Sequence, residues 1–158
     1  MKYSTITTLA ALAVTVACEG GSSIGGLDAE QFFDVVLTPG EQVPATKSIT
    51  TATGSAQLVL FPERIEFQVG ATSITGITRA HIHRGAPLVA GPVVVTLFQP
   101  GAPTGAVNGI FASGTLTDLN LPSGVTLESL KTLLNSGDAY IDVHTTANPN
   151  GEIRGQVR

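Results

Sequence analysis

The run AYIDVHTTANPNGEIRGQV, residues 139–157, decides the fold. Successive side chains of an extended chain point to opposite sides, so AYIDVHT sets Tyr140, Asp142 and His144 on one face and Ile141, Val143 and Thr145 on the other. EIRGQV repeats the pattern, with Glu152, Arg154 and Gln156 opposite Ile153, Gly155 and Val157. NPNG, residues 148–151, is a turn sequence between them. The stretch therefore reads as two joined antiparallel strands, each with one polar face and one apolar face that packs on a core.

Working outward, the same signature recurs. FFDVVL (32–37), SAQLVLF (55–61), RIEFQV (64–69), ITRAHIH (77–83), PVVVTLF (92–98) and GIFASGTL (109–116) are short runs rich in β-branched residues and bounded by Gly, Pro, Asn or Asp. Pro62-Glu63 fits a two-residue hairpin connection. Only TLESLKTLLNSG departs from this pattern. Leu127, Leu130 and Leu134 recur at helical spacing, Thr126 can cap the start and Gly137 the end, which predicts one short helix over 126–136 lying across an end of the fold. About eight strands without alternating helices predict an all-β, antiparallel sandwich or Greek-key barrel.

A chain of 158 residues suits one compact domain. Only 13% of residues are charged, the net charge is −4 and no basic cluster is present, so nucleic acid is excluded as a partner. Residues 1–17 read as an export signal: Lys2 is followed by an apolar run, Ile6 to Ala17, too short to span a membrane. Cys18 follows directly and resembles the lipidated cysteine of bacterial lipoproteins, although Thr15 stands where those favour leucine. The Gly- and Ser-rich residues 18–30 then form a flexible tether ahead of a domain over 31–158. With a single cysteine, an intramolecular disulfide is excluded. The expected location is outside the cytoplasm, at a membrane through the lipid on Cys18 or else secreted or periplasmic.

All three histidines sit on polar strand faces: His81 and His83 in AHIHRG, and His144 in DVHTT. With Arg79, Tyr140, Asp142, Glu152 and Arg154 they form one polar patch outside the core if their strands are neighbours. Two readings follow. In one, His81, His83 and His144 bind copper or zinc, with redox chemistry at copper as a further option. In the other, the patch staples strands together and no cofactor is needed. No catalytic residues are assigned. No strand-to-helix turn that would expose a nucleophilic serine is predicted, and an HExxH helix and a P-loop lysine are missing from the sequence.

AHIHRGAPLVAGPVVVTL (80–97) with YIDVHTTANPNGEIRGQV (140–157), preceded by LTPGEQVPAT (37–46) and TGSAQLVL (53–60), resembles the CHRD domain, named after chordin. Asp142 stands where that family commonly has asparagine. The resemblance implies an immunoglobulin-like β-sandwich acting outside the cytoplasm as a non-catalytic binding or structural module at the cell envelope, with an unidentified protein or envelope component as partner. The order of His81, His83 and His144 is also similar to that of copper–zinc superoxide dismutases. However, their bridging histidine, zinc-ligand loop and disulfide have no counterpart in this sequence.

Overall fold

The computed structural model describes residues 31–158; the leader, Cys18 and the tether lie outside the described residues. Eight strands form two antiparallel sheets. The first contains β1 (Gln31–Leu37), β2 (Thr53–Phe61), β3 (Arg64–Thr75) and β6 (Ala106–Leu116) in the order β1-β2-β3-β6. The second contains β4 (Ile77–Arg84), β5 (Val93–Phe98), β7 (Ala139–Thr145) and β8 (Ile153–Gln156) in the order β5-β4-β7-β8. The chain leaves the first sheet after β3, makes the β4-β5 hairpin in the second, and returns as β6 beside β3. It then crosses again to β7 beside β4, the interleaving of a Greek-key sandwich.

Alternation explains the core. Phe33, Val35 and Leu37 of β1, Leu58 and Leu60 of β2, and Ile65 and Val69 of β3 are buried, as are Ala80, Ile82, Ile141, Val143 and Ile153 in the second sheet; together they belong to one hydrophobic cluster. The Pro62-Glu63 turn is present, with Phe61 opposite Arg64. β3 runs past its expected end at Val69 through two register shifts, the first leaving Phe111 of β6 without a partner beside Gly70 and the second setting Thr72 and Ser73 against Asn108, so the glycine continues the strand rather than stopping it.

The helix α1 (Leu127–Asn135) forms as its sequence predicts. Thr126 Oγ1 accepts from the Ser129 amide at 3.1 Å while Ser129 Oγ accepts from the Thr126 amide at 3.0 Å, a reciprocal cap. Leu127, Leu130, Leu133 and Leu134 are buried, and Lys131 Nζ donates to the Pro62 carbonyl at 2.8 Å, which fixes the helix against the β2-β3 turn.

The polar face of the second sheet requires a correction. It lies opposite the hydrophobic core but is not a surface: every residue of β7 and β8 is buried. Two loops cover it. The segment 38–52 between β1 and β2 runs along β8 and the 148–151 turn, through paired Thr38–Arg154 backbone bonds, Gln42 Nε2 to the Asn150 carbonyl and the Ser48 amide to Asn148 Oδ1. The loop after β4 is held by Arg154 Nη2 donating to the Ala86 carbonyl and Gln156 Nε2 to the Gly85 carbonyl. On the core side, β1 crosses β8 so closely that a Cβ at Gly155 would collide with the Val36 carbonyl oxygen.

Candidate functional site

The register of the second sheet builds the site. His81 pairs with Asp142, His83 with Tyr140, and Asp142 in turn with Arg154. Because β4 and β7 are neighbours, His81, His83, Asp142 and His144 project into one layer. Each is buried, and one ligand atom from each lies within 4.8 Å of all the others. His83 Nε2 is 3.1 Å from Asp142 Oδ1, His144 Nε2 is 3.0 Å from Asp142 Oδ2, and His81 Nδ1 is 3.3 Å from His144 Nε2 and 3.7 Å from Asp142 Oδ1.

The other ring nitrogens show what these atoms carry. His83 Nδ1 lies 2.9 Å from the Gly91 carbonyl and His144 Nδ1 lies 3.0 Å from the Pro149 carbonyl. A carbonyl oxygen only accepts, so each Nδ1 bears a proton. In the neutral ring, Nε2 then presents a lone pair to the Asp142 carboxylate, which also only accepts. Lone pairs outnumber protons at this point, and a positive charge must make up the difference. His83 Nε2 and Asp142 Oδ1 are buried without a hydrogen-bond partner, despite their separation of 3.1 Å.

A proton is one solution, and the site favours it. Burial pushes the Asp142 carboxyl up, but the imidazoles of His144, His81 and His83 more than reverse this and hold it well below the usual carboxylate range. For His83, burial lowers the affinity for a proton, while the Asp142 carboxylate and the Gly91 carbonyl outweigh it and raise the pKa above 6.5.

A divalent cation is the other solution. Four donors at 2.0–2.1 Å from a tetrahedral zinc are separated by roughly 3.3 Å, and three of the contacts within the cluster already measure 3.0, 3.1 and 3.3 Å. The two Nδ1–H to carbonyl bonds are the outer contacts that orient ligating imidazoles elsewhere. The donor set, three imidazoles and a carboxylate, suits zinc or copper. Within the described residues the site thus fits such an ion.

Neighbouring side chains fix the ligands. The Tyr140 ring stacks on His83 with centroids 4.7 Å apart and planes 9° from parallel. Its hydroxyl accepts from the Gly91 amide at 3.0 Å, which positions the carbonyl that orients His83. Gly91 has no alternative here, because a Cβ would overlap the Arg84 carbonyl oxygen. From β8, on the other side of β7, the Arg154 guanidinium lies 3.6 Å from the Tyr140 ring centroid.

The sequence-derived patch divides. Tyr140, Asp142, Arg154 and the three histidines share the buried layer, whereas Arg79 is exposed at its rim and donates to the Pro149 carbonyl at 3.1 Å. Glu152 does not join. Its carboxylate accepts from Thr50 Oγ1 at 2.6 Å and from Thr145 Oγ1. Glu152 precedes β8, in the bend after the turn, so strand alternation does not govern it. The Arg154 hydrogen bonds go to the Ala86 carbonyl and to Gln156 Oε1. The residue that sequence reasoning missed as a ligand is Asp142. Its signal was its position two residues before His144 on the same strand face.

A cavity of about 380 Å³ opens over this layer, with His83, Asp142 and His144 at its floor and Arg79, Pro44 and Gly91 in its walls. A family model described as the CHRD domain matches residues 33–157. No curated protein and no solved structure matches the chain.

Proposed function

The chain belongs to the CHRD-domain family, a fold assignment that leaves chemistry to individual side chains, and on that premise we propose that it is a transition-metal-binding domain. His81, His83, Asp142 and His144 would hold one Zn²⁺ or Cu²⁺ ion. The observation that carries this reading is the convergence of four acceptor atoms with too few protons among them, two of the imidazoles being oriented from behind by carbonyls. Burial favours it over a surface for recruiting a protein, since Tyr140, Asp142 and Arg154 are enclosed and not presented.

The ion would supply positive charge at the centre of the cluster and join β4 to β7. Four protein donors are the number found in structural zinc centres, while the cavity lined by His83, Asp142 and His144 would leave the ion within reach of a further ligand. Calorimetric titration of the metal-free protein with Zn²⁺ and with Cu²⁺ tests the reading. One equivalent should bind, and His83→Ala combined with His144→Ala should abolish it. Binding no tighter than about millimolar, or binding that survives the double variant, contradicts it.

We place this domain outside the cytoplasm, tethered through a lipid on Cys18; the support is the composition of residues 1–17 and the small residue Ala17 ahead of the cysteine. Radiolabelled fatty acid should enter the wild-type chain and not the Cys18→Ala variant. Equal labelling of both, or of neither, removes the tether from the account.

A further inference from the structure

The cavity over the four-donor cluster has an asymmetry that the metal reading alone does not use. His83, Asp142 and His144 line it and His81 does not, although all four side chains are buried. Among the lining residues Asp142 is the single carboxylate and Arg79 the single Lys or Arg, beside the two imidazoles of His83 and His144. A divalent ion exceeds the charge of that one carboxylate, and a bound ion is the largest local charge in such a site. The surplus would lie at the cavity floor with the Arg79 guanidinium in its wall and the buried Arg154 cation against Tyr140 beneath. Glu41 acts on Arg154 from outside the cavity, and no acidic side chain other than Asp142 lines the space to offset Arg79.

Arg79 is also positioned. Its Nη2 donates to the Pro149 carbonyl, the same oxygen that holds His144 Nδ1, so the guanidinium and a ligating ring are tied to one atom. That bond occupies one of five N–H donors, and among the described residues the others have no protein acceptor. Val43, Pro44 and Ala90 supply apolar walls that limit how much hydration water an occupant can retain.

From this charge distribution, and resting on the metal reading above, we infer that the loaded protein has a second site: a small inorganic anion binds in this cavity, between the cluster and Arg79. The guanidinium donates hydrogen bonds to it, and the surplus charge of the cluster attracts it from below.

Azide is a suitable probe. In the full chain loaded with one equivalent of Cu²⁺, azide should produce a saturable near-ultraviolet charge-transfer band, half-developed at about millimolar concentration. Arg79→Gln should bind copper with unchanged stoichiometry and azide roughly tenfold more weakly, and Arg79→Lys, which keeps the charge but not the fork, should fall between. Stoichiometric copper with no saturable band up to about 100 mM azide, or equal azide affinity in wild type and Arg79→Gln, overturns the anion site and leaves the metal reading standing. Failure of the wild type to bind copper or zinc at all overturns both.

Discussion

Replacing Asp142 by Asn in the metal-free protein keeps the side-chain shape and removes the charge on which three imidazoles converge. In the wild type, His83 has a raised pKa, so its stabilising contribution is fully present below its unfolded value of 6.5 and is lost as pH rises through the folded value. Asp142 has a lowered pKa. Its contribution is present above 3.8, lost only as pH falls through the folded value, and therefore constant between pH 6 and 8.5. In Asp142→Asn the carboxylate no longer raises His83; burial and the Arg154 cation lower its affinity for a proton and only the Gly91 carbonyl still raises it, so charging the ring at pH 6 contributes less to folding. Losing a buried ionic contact and leaving its partner buried costs about 2–4 kcal/mol. At about 3–4 °C per kcal/mol for a domain of this size, Tm should fall by roughly 6–15 °C at pH 6. At pH 8.5, where less of His83 carries a proton than at pH 6, the loss should be smaller. Thermal unfolding followed by circular dichroism in chelator, at the two pH values, measures both. Equal losses at pH 6 and 8.5, or a more stable variant at pH 6, would refute the coupling between His83 and Asp142.

Other outcomes follow from the same structure. Zinc affinity should decline as pH drops through the raised His83 value, by about one decade per pH unit for each displaced proton, and a pH-independent calorimetric Kd between 6 and 8 would contradict it. Gly155→Ala forces a methyl group into the Val36 carbonyl and the β1 backbone. It should cost about 3 kcal/mol in a denaturant titration; a loss under about 1 kcal/mol would show that β1 yields easily there. Thr126→Ala removes the acceptor for the Ser129 amide. A loss of about 1 kcal/mol with unchanged zinc stoichiometry is expected, and altered stoichiometry would mean that α1 and the cluster are linked.

Much of the fold was legible because alternation is strict where one sheet face meets the core. Ile141, Val143 and Ile153 against Tyr140, Asp142 and Arg154 gave both the strands and their orientation. Leu127, Leu130 and Leu134 gave the helix. Burial of the opposite face was not legible, because it depends on residues 38–52, whose Pro, Gly and Thr carry no periodicity and whose path is set by distant partners such as Asn148 and Asn150. Convergence of the histidines followed from strand adjacency. The part of Asp142 as a fourth donor required the register that places it opposite His81. Glu152 was misplaced for a local reason: alternation was extended one residue beyond the strand that enforces it.

The central claim is that four named donors hold one ion, and a crystal structure of the zinc-loaded protein, with anomalous scattering recorded at the zinc edge, tests it most directly. The account predicts one strong peak at about 2.0–2.1 Å from His83 Nε2, His144 Nε2, a ring nitrogen of His81 and an oxygen of Asp142. A zinc peak bound elsewhere, or a cluster whose imidazoles remain paired to Asp142 with no ion among them at saturating zinc, would contradict it.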